Sequence, residues 1–402
     1  MRSEMVSRTI SPRPLSLSEP QLGGNEWRYL KECLDSGWVS SVGPFVERFE
    51  REMAAYVGTT HAVAVVNGTA ALHIALLIAG VQPGDEVVVP TLTFIAAVNA
   101  IRYCGAEPVF MDSDPQTWQL DVERCEQFLA RECRSTTEGC VNTMSGRRVR
   151  AILPVHLLGL ACEMDRLVEL ARRYGLNVVE DAAEAVGVRY RGRHAGTFGD
   201  IGVLSFNGNK VMTTGGGGML VTNESSIAAR ARYLTTQAKD DPSEYIHHEV
   251  GYNYRLTNLQ AALGVAQLEQ LDSFIMRKRR IARDYAERLR PLQQDGLTLM
   301  PEPAHTEATY WLYTVLLGAD TTRARRQNVI RHLNSEGIGA RPLWHPVHRL
   351  RPYAACQAFE IEWADRLYER ALSLPSSVGL EEAEVERCVE ALRRALSYKG
   401  RS

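Results

Sequence analysis

A chain of 402 residues, 45% apolar and 23% charged, is long enough to bury a full core in two domains and too apolar to stay unfolded. Its formal net charge of −2 gives no bulk attraction to nucleic acid or to an anionic membrane. None of the eight cysteines forms a CxxC pair or has a histidine at metal-ligand spacing; reduced, buried thiols are expected, with no disulfide and no metal.

The segment MRSEMVSRTISPRPLSLSEPQL lacks the apolar stretch of a signal peptide. No apolar run approaches the roughly 18 residues of a membrane span. A cytoplasmic protein is expected, with about the first 15 residues poorly ordered.

From residue 61 to 223, short β-branched runs alternate with helical patterns. The runs HAVAVV (61–66), EVVVP (86–90), EPVFMD (107–112), RAILPVH (150–156), NVVED (177–181), GVLSF (202–206) and GMLVT (218–222) predict seven buried strands. TAALHIALLIAG and TFIAAVNAIRYCG follow the first two strands as helices. CEMDRLVELARRYG places Met164, Leu167, Val168, Ala171 and Tyr174 on one helical face. The polar stretch 131–148 reads as a surface hairpin or loop. After Tyr254, a Thr/Asn cap opens a long helical region, and the remainder reads as a smaller α/β domain. This alternation predicts a mainly parallel sheet covered on both faces, with ligands outside the carboxyl ends of its strands.

Four segments near those ends carry chemistry. In SFNGNKVMTTGGGG, Lys210 follows a buried strand. A lysine amine there can be activated by a lowered pKa and can form an imine with an aldehyde; taken alone, a lysine after a strand is usually a solvated surface residue. In NVVEDAAEAVG, Asp181 ends an apolar strand, either as a partner for a ring nitrogen or as a helix cap. Gly68 and Thr69 lie between a strand and a helix N-terminus, a place that suits phosphate and also suits an ordinary cap by Asn67 or Thr69. Phe94 stands just beyond a strand end, free to stack on a flat ring or to fill the core. No GxGxxG follows the first strand, which argues against a dinucleotide-binding dehydrogenase.

The ordered blocks SGWVSSVGPFVERFE, VNGTAALHIAL, PTLTFIAA, VEDAAEAVG, SFNGNKVMTTGGGG, GYNYRLTNLQAALG and PVHRLRPY resemble the DegT/DnrJ/StrS family of sugar aminotransferases, from about Leu17 to about Leu396. The resemblance implies the aspartate-aminotransferase-like fold (PLP fold type I). That is an α/β architecture with a mainly parallel seven-stranded sheet in a large PLP-binding domain, 17–265, and a small C-terminal domain, 266–402. It implies pyridoxal 5′-phosphate (PLP) as cofactor, held by Lys210 as a Schiff base, with Lys210 also shuttling protons. Asp181 would pair with the pyridine nitrogen, Gly68, Thr69 and Ser205 would hold the phosphate, and Phe94 would stack on the ring. In a homodimer with shared sites, Asn253 would reach the phosphate of the neighbouring subunit's site. Trp38, Ser40 and His348 lie in blocks that border the sugar-nucleotide pocket in relatives.

Two departures from the family pattern matter. Many relatives carry Gln or His three residues after the aspartate, against the cofactor's phenolic oxygen; this chain has Glu184, which must be protonated or turned away. Where many relatives read TxGEGG, this chain reads TTGGGG. That form resembles the subgroup that aminates C4 of UDP-linked 4-keto-6-deoxy-N-acetylhexosamines for surface glycans, with glutamate as donor. The resemblance leaves open a dTDP- or GDP-linked keto-sugar, aminated at C3 or C4. Retention of Lys210 and Asp181 argues against a silent regulatory homologue.

Overall fold

The computed structural model describes residues 13–397 except 138 and 242. All seven expected strands join one sheet, in the order 61–65, 218–222, 201–205, 177–181, 149–152, 86–90, 107–111. Gly218–Thr222 runs antiparallel to both neighbours, and the remaining pairs are parallel. The uninterrupted apolar runs follow from helices on both faces. Val87, Val88 and Val89 are fully buried, each contributing about 2 kcal/mol of transfer free energy.

The helices form where their caps allow. Asn67 opens Gly68–Ile78, its side chain accepting from the N–H of Ala70. Met164–Tyr174 buries Met164, Leu167, Leu170 and Ala171 and ends on Gly175 at φ 65°; Val168 and Tyr174, expected on that face, are half-buried. Stretch 131–148 contains the expected hairpin, Cys133–Thr136 paired with Gly139–Asn142.

The long helical region is two helices, Asn258–Leu268 and Leu271–Leu289. Thr257 and Gln260 form a capping box at the start of the first. The chain turns at Glu269 and Gln270, whose side chains reach back to Asn25, Tyr29, Arg48 and Glu26. Residues 265 and 266, between which the sequence reading divides the chain, lie inside Asn258–Leu268.

Beyond these helices a three-stranded antiparallel sheet pairs Ala371–Leu374 with Tyr313–Leu316 on one side and Arg341–Pro342 on the other. Arg323–Ser335 packs on this sheet and on Glu382–Ser397, which packs in turn on Leu271–Leu289. Residues 13–15 depart from the expected disorder. Leu15 is buried, its N–H donating to Gly337 O and its carbonyl accepting from Gly339 N, and its side chain joins the hydrophobic core. The rest of that expectation, residues 1–12, lies outside the described residues. Among the described residues no helix is long and apolar enough to cross a membrane.

Candidate active site

A cavity of about 430 Å³ opens at the carboxyl ends of the parallel strands. Gly68, Thr69, Phe94, Asp181, Glu184, Ser205 and Lys210 line it. These are seven residues that the sequence places in four separate blocks, and they meet because each follows or ends a strand of the same sheet edge.

Lys210 sits in the turn after Ile201–Ser205, its N–H donating to Asn207 O. Its side chain is only 13% exposed, and its Nζ stands 3.8 Å from Glu184 Oε1. Nζ also lies 3.9 Å from the centroid of the Trp311 ring. Burial lowers the pKa of this amine, while Glu184 and Asp181 pull it back up.

Glu184 points into the cavity. Burial pushes its carboxyl up to about 7, against the opposing pull of Lys210 and of a backbone N–H. That N–H belongs to Leu158, which donates to Glu184 Oε2 at 2.9 Å and holds a left-handed φ of 63°. Such a φ costs a non-glycine residue of order 1 kcal/mol. The strain is held by Gln119, which accepts from the N–H of the preceding Leu157 at 2.8 Å. The next residue, Gly159, has no room for a side chain: a Cβ there would stand 2.4 Å from the backbone nitrogen of Trp311. One three-residue loop therefore touches both neighbours of the lysine.

Asp181 is 5% exposed and accepts the N–H of Ala183 at 3.0 Å. Burial raises its pKa; Ala183, Lys210 and His156 oppose the rise. No helix follows Asp181, so the helix-cap reading does not hold, and the carboxylate caps a turn instead. The strand end is fixed from behind. His156 accepts the Cys162 N–H at Nδ1 (3.1 Å), which assigns the Nε2 proton to the 3.0 Å hydrogen bond with buried Glu180.

At the other end of the cavity, the glycine run packs against the start of the Gly68–Ile78 helix. A Cβ on Gly218 would stand 2.5 Å from the carbonyl of Asn67. Gly68 and Thr69 then present the first N–H groups of that helix, which have no partner within it, next to Ser205. Phe94, 55% exposed, borders the mouth.

Four expected residues lie elsewhere in the single chain. Asn253 is exposed and bridges Thr236. Trp38 lines a separate open groove with Glu32, Asp35 and Phe45, and the Ser40 carbonyl accepts the Asn258 N–H at 2.6 Å. His348 is half-buried, its Nδ1 2.7 Å from Thr91 Oγ1. The lining also includes residues with no earlier role in the sequence, among them Trp311, Arg341 and Trp344. The aromatic clusters ATYWLYTV and RPLWHP were their only local signal.

The DegT/DnrJ/EryC1/StrS aminotransferase family model matches residues 20–393. GDP-perosamine synthase from Caulobacter vibrioides is 43% identical over 95% of this chain and 98% of its own. EpsN of Bacillus subtilis, whose name carries the words pyridoxal phosphate-dependent aminotransferase, is 38% identical over 93% of this chain and 97% of its own. Among solved structures, the aminotransferase TlmJ from Streptoalloteichus hindustanus superposes with a TM-score of 0.86 at 31% identity, covering 96% of this chain and 99% of that one.

Proposed function

The chain belongs to the DegT/DnrJ/EryC1/StrS aminotransferase family, and from that premise we propose that it moves the amino group of glutamate to C4 of a GDP-linked 4-keto-6-deoxyhexose. The products are 2-oxoglutarate and a GDP-linked 4-amino-4,6-dideoxyhexose. The fold and the dependence on PLP are those of the family. The observation that carries the choice of nucleotide is the 43% identity to a GDP-perosamine synthase, since perosamine is a 4-amino-4,6-dideoxy sugar. The sequence blocks pointed to a UDP-linked N-acetylated sugar; this likeness supports GDP in its place.

The residues present fit PLP. A lone carboxylate as buried as Asp181 is costly without a cation against it, and a protonated ring nitrogen is such a cation. The close approach at Gly218 holds unpaired helix N–H groups where a phosphate would lie. When bound, the cofactor supplies an aldehyde for the amine and a ring that accepts the electron pair left by a departing proton.

The chain's own residues supply the rest. Lys210 would hold the cofactor covalently and, once released, would take the proton from the α-carbon of the donor. Its lowered pKa leaves more of the amine in the neutral, proton-accepting form. Asp181 would keep the ring nitrogen protonated, and Phe94 would cover a ring face. Glu184, with its carboxyl at about 7, is largely neutral below that pH and can donate to the phenolic oxygen.

A homodimer is part of this reading. Asn253 lies outside its own chain's cavity, and Trp38, Val39, Val42, Tyr245, Ile246 and Val250 expose apolar surface on two loops. All eight cysteines are unpaired, which supports a reducing, cytoplasmic setting.

The test is a panel of GDP-, UDP- and dTDP-linked 4-keto-6-deoxy sugars with glutamate, following 2-oxoglutarate and identifying the product by NMR. The GDP substrate is expected to lead by about tenfold or more in kcat/KM. Faster turnover of the UDP-linked N-acetylated sugar would overturn the assignment.

A further inference from the structure

We propose that Trp311 is a positioning residue for Lys210, its ring holding the protonated amine whenever the amine is not bonded to the cofactor. The contact is made at two points. The ring centroid lies 3.9 Å from Nζ, and the indole N–H donates to the carbonyl of Asn209 at 2.6 Å. Asn209 immediately precedes Lys210, and the same carbonyl accepts from Ser18 Oγ at 2.9 Å. The lysine is thus gripped by its backbone and by its tip.

The ring has little freedom. Trp311 is 3% exposed and stacks on Trp344, with centroids 6.4 Å apart and planes 12° from parallel. Gly159 lies against its backbone. The charged groups facing the amine are Glu184 and Asp181, from the end of Asn177–Asp181 and the turn after it; Arg341, from the small sheet, lines the same cavity.

The chemistry gives this contact a use. In each half-reaction the released amine of Lys210 would take one proton from one carbon and pass it to another. Its ammonium form then stands where burial disfavours charge. Glu184 and Asp181 offset that cost, but a carboxylate can also accept the proton. An indole face attracts a cation and has no site at which to take its proton. Trp311 therefore favours the ammonium without competing for what it carries. The inference depends on Lys210 being the reactive amine and not on which sugar is the substrate.

The experiment uses full-length enzyme loaded with pyridoxamine phosphate, in which Lys210 is free. Acetylation of Lys210 by acetic anhydride is followed against pH by mass spectrometry, for wild type, Trp311→Phe and Trp311→Leu. Loss of the ring in Trp311→Leu is expected to lower the apparent pKa of Lys210 by about one unit. Trp311→Phe, which keeps a ring face and loses the N–H, is expected to shift it by less than half as much. Equal shifts in the two variants, or none, with unchanged circular dichroism, would overturn the proposal. Should Trp311→Leu fail to fold, wild type grown on 5-fluorotryptophan decides the matter. Of the six tryptophans, Trp311 is the one stacked on Lys210, and fluorine withdraws ring electrons with little change of shape. A downward shift supports the proposal, and no shift refutes it.

Discussion

Lys210 and Lys278 both leave water, one in the turn after Ile201–Ser205 and one within Leu271–Leu289. Burial lowers the pKa of both, and for Lys278 it does so to about 7. Lys278 is the more deeply buried, at 2% exposed, and donates to the carbonyl of Ser376. Its tip meets packed backbone. The tip of Lys210 meets a cavity, two carboxyl groups and an aromatic face. Desolvation alone thus makes an amine less basic. Reactivity also needs room for a second molecule and neighbours that can manage a proton.

The sharpest test of this contrast exchanges each lysine for an uncharged side chain. Lys210→Ala is expected to lower kcat/KM by about 10⁴-fold or more, measured as glutamate-dependent amination of the keto-sugar. Lys278→Met is expected to stay within about threefold of wild type. A comparable loss in both would mean that Lys278 serves the reaction. Asp181→Asn should fall between them, at about 10²–10³-fold in kcat, because a neutral amide cannot keep the ring nitrogen protonated.

Smaller effects separate the two sites by stability. A lysine whose folded pKa lies below its unfolded value binds fewer protons when folded, so stability rises with pH between the two values. For Lys278 that window runs from about 7 up to the ordinary lysine range. Lys278→Met is therefore expected to be more stable than wild type by about 2 kcal/mol at pH 6, with the advantage shrinking above pH 7 in urea titrations. Glu184 has the opposite sign. Its raised carboxyl binds more protons folded than unfolded between about 4.5 and 7, so the wild type loses stability as pH rises through that window. In cofactor-free protein, the stability of Glu184→Gln relative to wild type should grow by about 2 kcal/mol from pH 5 to pH 8. A flat difference would show that Glu184 ionises like an exposed acid.

What was legible in the sequence follows from what is local. The seven strands announced themselves because a strand buried on both faces must be apolar along its length. The residues at their carboxyl ends inherit a common edge, which is why the sequence alone brings Lys210, Asp181, Gly68 and Phe94 together. The break at Glu269–Gln270 was not legible, since it depends on side chains from residues 25–48. Nor was the order of Leu15, which rests on a pairing with residues 337–339. Trp311 and Arg341 were missed for the same reason. They reach the cavity from a second sheet (Arg341) and the bend just before one of its strands (Trp311), more than a hundred residues downstream, and no spacing in the chain records that approach. Of Glu184 the sequence could say only that it must be protonated or turned from the phenolic oxygen; its 3.8 Å approach to Lys210 comes from the fold.

The loop Leu157–Gly159 links these findings. It donates to Glu184 on one side and abuts Trp311 on the other, so under the proposed roles the C-terminal third of the chain would bear on proton affinity as well as on the walls of the cavity. This has a consequence for how such enzymes diversify. A C-terminal segment transplanted from a relative brings its own residue at 311 and its own fit against residue 159. Substrate choice and the working pH of the lysine are then inherited as a pair, and a chimera that exchanges one will carry a change in the other.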